Sequence, residues 1–126
     1  MLKMKHFNTI FFFFTILTCI GCSDNSKPTE VSIRLSNVSA FDFKNIKVNT
    51  TDFEDVNSGE KTAYKTFDKA YRYGFIELDI DGSTYTIQPI DYVGETPLES
   101  GAYTYEINAS DSEEQYGKLT LVLLED

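Results

Sequence analysis

The 126-residue chain has no tryptophan, one histidine (His6) and two cysteines, Cys19 and Cys22. From Ser23 onward it contains no imidazole, no thiol and no indole. Ser-His-Asp and Cys-His nucleophilic sites are thereby excluded from that part, as are zinc sites built on His or Cys. Basic residues are scarce: 11 Lys and Arg stand against 20 Asp and Glu, a formal net charge of −9. Such a surface repels phosphate backbones and anionic headgroups, so no nucleic-acid partner is expected. Helical spacing is missing too, since no window carries it for more than about one turn. Carboxylates, hydroxyls, tyrosines and a few amines remain for chemistry.

What is present begins with a basic start, Lys3, Lys5 and His6, followed by the apolar run Ile10 to Ile20, broken only by Thr15 and Thr18. A membrane span needs about 20 apolar residues, and this run is roughly half that. Four consecutive phenylalanines also carry no amphipathic period. The pattern is that of a secretory signal, expected over 1–21. The stretch LTCIGC resembles the lipobox of bacterial lipoproteins, in which a small residue precedes a cysteine that becomes the new N-terminus. Gly21-Cys22 fits; Cys19 stands where the family usually carries Leu. The resemblance implies thioether acylation of Cys22, with Cys19 as the alternative acceptor and an ordinary secreted protein as the bland alternative. Two or more acyl chains give stable anchoring where one does not. A Cys19–Cys22 disulfide would close no useful loop. Loss of Lys3 and Lys5 with the leader takes the net charge from −9 to −11.

Ser23 to Thr29, SDNSKPT, reads as a tether, so that 22–29 forms an acylated cysteine and linker. Its seven residues reach at most about 25 Å. From Glu30 to Asp126, 97 residues suffice for one small sandwich. Period-two alternation dominates them. VSIRLSN sets Val31, Ile33 and Leu35 on one face, and FKNIKVNT sets Ile46 and Val48 inward. Phe41 and Phe43 are out of phase, which predicts a bulge near Lys44. NSGE, Asn57 to Glu60, is a turn, and TAYKTF after it reads as a strand. In FIELDIDGSTYTIQP, Asp81-Gly82 predicts a two-residue hairpin pairing Ile80 with Ser83, Leu78 with Tyr85 and Ile76 with Ile87. LESGAYTYEI places Gly101 at a turn with Tyr103, Tyr105 and Ile107 inward. YGKLTLVLLED alternates Leu119, Leu121 and Leu123, and Val122 and Leu124 make its second face apolar, which predicts a central or covered strand. The fold class expected is all-β: a single antiparallel β-sandwich of about eight strands, immunoglobulin-like or transthyretin-like, without helix.

The leader and CSDNS, joined to one small all-β domain, resemble the short lipoproteins common in Bacteroidota. In that group an acidic run after the cysteine directs export to the outer face; Ser23-Asp24 resembles its start, and Asn25 and Ser26 depart from it. LESGAYTYEI is similar to a hairpin of transthyretin-like and carboxypeptidase-regulatory-like sandwiches, over about ten residues. That likeness implies a fold and no activity.

Candidate sites are few. Glu77 to Gln88 superficially follows a calcium loop, but Gln88 stands where a bidentate Glu is needed, and the hairpin accounts for every residue. Asp52, Glu54, Asp55 and Glu60 cluster round a turn and read as a solvated acidic loop rather than a cation site. Asn37, Asn49 and Asn108 head formal glycosylation sequons, which are set aside in a bacterial lipoprotein. No cofactor and no metal are expected.

The stretch AYRYGF is the one the core leaves unexplained. Tyr71, Tyr73 and Phe75 share a face with Glu77 and Asp79, so they form either an exposed binding stripe or, through a bulge at Gly74, part of the core. The sequence thus leads to a non-enzymatic binding or assembly module of the cell envelope, anchored in the outer membrane through Cys22 on its periplasmic or outer face. Its partner would be an envelope protein or glycan. A glycan-binding accessory and a carboxylate-dependent hydrolase are the alternatives.

Overall fold

The computed structural model describes residues 30–89 and 95–126. The leader, Cys19, Cys22 and the tether lie outside them. Eight strands occupy the described residues: β1 (Val31–Asn37), β2 (Lys44–Val48), β3 (Thr51–Phe53), β4 (Lys65–Phe67), β5 (Ile76–Ile80), β6 (Ser83–Ile87), β7 (Gly101–Ala109) and β8 (Leu119–Glu125). They form two four-stranded sheets, β4-β1-β7-β8 and β3-β2-β5-β6, packed as an all-β sandwich.

The inward residues are those that alternation selects. Val31, Ile33 and Leu35 of β1, Ile46 and Val48 of β2, Ile76, Leu78 and Ile80 of β5, and Tyr103, Tyr105 and Ile107 of β7 are all buried in one core. Burying a side chain of this size contributes about 1.5–3 kcal/mol. The hairpin has the register its turn requires, Ile80↔Ser83, Leu78↔Tyr85 and Ile76↔Ile87. Asp81 and Gly82 take φ of 50° and 81°, the left-handed pair of a type I′ turn. The bulge is present as well: Lys44 faces Asp79 while Lys47 faces Glu77, so β2 spends one residue more than β5. Asn45 absorbs it at φ 50°.

The structure departs from expectation in several places. TAYKTF contributes only the short strand Lys65–Phe67, and Thr51–Phe53 adds a strand not anticipated. Gly101 opens β7 rather than sitting in a turn before it. Five of the six strand pairings are antiparallel, but β1 runs parallel to β7, Val31 beside Gly101 through Asn37 beside Ile107. This order also differs from the immunoglobulin arrangement, in which the first two strands share a sheet; here β1 and β2 lie in different sheets. Finally, β8 is an edge strand, not a central one.

The parallel pair gives the sandwich two distinct ends. The start of β1, the start of β7 and the end of β4 lie together, with Gly101 N–H donating to the Glu30 carbonyl. The Asp81-Gly82 turn and the β1–β2 and β7–β8 connections issue from the opposite end.

Candidate functional site

At the far end, Asn37 organises the β1–β2 connection. Its side chain is fully buried; Nδ2 donates to the carbonyls of Phe41 (2.7 Å) and Val56 (3.2 Å), and Oδ1 accepts from the N–H (3.0 Å) and hydroxyl (2.7 Å) of Ser39. This formal sequon residue is a structural knot, with all its polar capacity used. Lys118 does similar work for the β7–β8 connection. Only 5% exposed, its ammonium donates to the Ser110 (2.8 Å) and Ser112 (3.0 Å) carbonyls and sits over the Phe41 and Tyr85 rings, 4.5 and 5.0 Å from their centroids. Desolvated cation–π contacts of this kind contribute up to about 2 kcal/mol. The same connection bonds to sheet edge β6, where Thr86 N–H donates to the Gln115 carbonyl.

The acidic residues are engaged one by one. Asp79 accepts from Asn45 Nδ2 (2.9 Å) and the Thr84 hydroxyl (2.7 Å), which together hold its carboxyl below its ordinary value of 3.8. Asp55 accepts from the Asn45 N–H, and Asp52 lies 3.8 Å from Lys47. Glu54 accepts from the Ala63 N–H at 2.8 Å, and that bond lowers its pKa. Glu77 and Asp79 belong to a strand, opposite Thr86 and Thr84, so the stretch from Glu77 to Gln88 forms a hairpin and not a calcium loop.

Tyr71, Tyr73 and Phe75 precede β5 instead of extending it, and all three are half-buried. They are therefore neither core nor a fully exposed stripe. The segment is held by the Tyr105 hydroxyl, which donates to the Tyr71 carbonyl, and by Asn49, whose N–H donates to the Phe75 carbonyl at 2.8 Å and whose Oδ1 accepts from the Phe75 N–H at 3.2 Å. Gly74 is buried among them; a Cβ there would meet the Asn49 amide at 3.5 Å and the Tyr105 hydroxyl at 3.7 Å.

Val38 and Tyr116 are exposed in the β1–β2 and β7–β8 connections, and three further exposed apolar residues lie on the outer face of the β4-β1-β7-β8 sheet. Tyr64 is 43% exposed, Val122 52% and Leu124 41%. Leu124 stands opposite Thr104, which stands opposite Arg34, so these three residues make one row across the sheet. Around that row a polar network is closed. Arg34 Nε donates to Thr104 Oγ1 at 2.9 Å and lies 3.5 Å from Asp126, and its guanidinium covers the Tyr64 ring at 4.9 Å. The Tyr64 and Thr104 hydroxyls both donate to Asp126. The Tyr64 bond holds the Asp126 carboxyl below its usual range and raises the Tyr64 phenol. Tyrosine and arginine are among the residues enriched at protein interface centres, and here both are fixed beside exposed Val and Leu. In the sequence Val122 and Leu124 form the apolar second face of a central or covered strand; Arg34 and Tyr64 carry no signal there, because a β-rich face cannot be assembled before its strand order is known.

No family model matches the chain, and no curated protein matches it.

Proposed function

We propose that this chain is a non-enzymatic binding module of the bacterial cell envelope, anchored in the outer membrane through acylated Cys22, which contacts an envelope protein through the outer face of the β4-β1-β7-β8 sheet. The observation that carries the reading is the row Arg34, Thr104 and Leu124 with Val122 and Tyr64 beside it. Its arginine is already held in place by Asp126 and Thr104, so little side-chain entropy remains to be lost on docking. A hydrolase of paired carboxylates needs one acid kept protonated near neutral pH. Hydrogen bonds lower Glu54, Asp79 and Asp126 alike, so none of these three carboxyls is such an acid.

The test is the double substitution Val122→Ser and Leu124→Ser in intact cells, followed by crosslinking. Both side chains are exposed, so the folded domain should lose no more than about 0.5 kcal/mol per site. Partner recovery should disappear while abundance and melting stay close to wild type. Unchanged recovery from the double variant contradicts the assignment of this face. Cys22→Ala should separately abolish labelling by a fatty-acid probe; persistent labelling would move the acceptor to Cys19 or end the anchor reading.

A further inference from the structure

We infer that Tyr71, Tyr73 and Phe75 rest against the polar interface of the lipid bilayer and hold the sandwich with its opposite end outward. This rests on the Cys22 anchor proposed above. The first step is topological. Glu30, where the tether joins the domain, accepts from Gly101 N–H, and Leu98 N–H, three residues before Gly101, donates to the Ala70 carbonyl. Residues 70–75 therefore lie at the end of the sandwich from which the tether leaves. The Tyr105–Tyr71 and Asn49–Phe75 bonds hold them there.

The second step is reach. Seven residues, Ser23 to Thr29, separate the acylated cysteine from Glu30 and span at most about 25 Å. Strand β1 carries the far end roughly 23 Å further away. The tether end meets lipid at any extension of the tether, whereas the far end does so only with the tether drawn out along the domain to nearly its full length.

The third step is chemistry. Tyrosine and phenylalanine rings that are partly exposed suit the water–hydrocarbon boundary, where an apolar ring and a polar tip are both satisfied. Lys69 and Arg72, both exposed, flank them, and their alkyl stems can lie along the boundary with the charge in water. Glu30, Asp68 and Glu99 share this end, so the lipid it suits is zwitterionic rather than anionic. The aromatic segment then turns toward the membrane, while the outer sheet face remains accessible from the side.

The chain contains no tryptophan, so single Trp substitutions give unambiguous probes. Full-length acylated protein carrying Tyr73→Trp, Phe75→Trp or, at the far end, Val38→Trp is reconstituted into phosphatidylcholine vesicles with brominated acyl chains. Each variant is checked by flotation and melting. The expected result is that all three float, that Tyr73→Trp and Phe75→Trp lose emission and shift to the blue, and that Val38→Trp does neither. Phe75→Trp carries the test if Tyr73→Trp fails to fold. Flotation without quenching at 73 and 75, or equal quenching at 38, overturns the bilayer contact and leaves the anchor intact. Failure to float removes the anchor and this inference with it.

Discussion

At the scale of single residues, stability is concentrated in a few polar side chains placed where the backbone leaves the sheets. Asn37→Ala would remove the acceptor of the buried Ser39 N–H and one of the two donors to each of the Phe41 and Val56 carbonyls. It should cost about 1–3 kcal/mol in chemical denaturation, the cost of one unsatisfied buried group. A loss below about 1 kcal/mol would mean that the β1–β2 connection finds its own bonds. The sequence marks Asn37 only as the head of a formal sequon; that the alternation of Val31, Ile33 and Leu35 carries on to bury its amide is visible in the fold. Asp79 makes a different prediction. Its folded pKa lies below the ordinary 3.8, so the stabilisation is complete above that value and is lost as pH falls through the lower folded value. Asp79→Asn should therefore be less stable than wild type at pH 7, and the gap should close as pH falls from 3.8 through the lower folded value. A gap that is constant with pH would show that the amide–carboxylate and hydroxyl–carboxylate bonds contribute nothing net.

At the scale of elements, local chemistry was readable and long-range pairing was not. The Asp81-Gly82 hairpin and the Asn45 bulge follow from turn residues and a phase slip within a few positions, and both stand where the sequence puts them. The parallel pairing of β1 with β7 joins segments 70 residues apart, and no local pattern encodes it. Strand β8 shows the limit most clearly. An apolar second face signals that something covers it, but the pattern is the same whether the cover is the chain itself or a partner. The β7–β8 connection depends on Lys118. Lys118→Met should free the Ser110 and Ser112 carbonyls and cost about 1–3 kcal/mol. It should also speed hydrogen exchange at the Thr86 amide, which the same connection protects through the Gln115 carbonyl. Exchange at Thr86 that does not change would show that the connection is held without the lysine.

At the scale of the whole molecule, the sandwich has a tether end, an opposite end and one sheet face with exposed apolar side chains beside a fixed arginine. A net charge of −9 keeps such a chain soluble and repelled from like-charged surfaces, so a neutral patch of Val122 and Leu124 is where close approach costs least. The core and the sandwich were legible because alternation reports burial directly; the outer face proposed for binding was not, because it is assembled from β1, β7, β8 and Tyr64 in an order only the fold supplies. The most direct measurement is site-specific photocrosslinking in living cells from position 122 on the outer face, with position 60, exposed at the far end, as control. A discrete protein adduct is expected from position 122, lost when Arg34 is changed to Ala, and none of that size from position 60. Adducts of the same size from both positions, or from position 60 alone, would contradict that expectation.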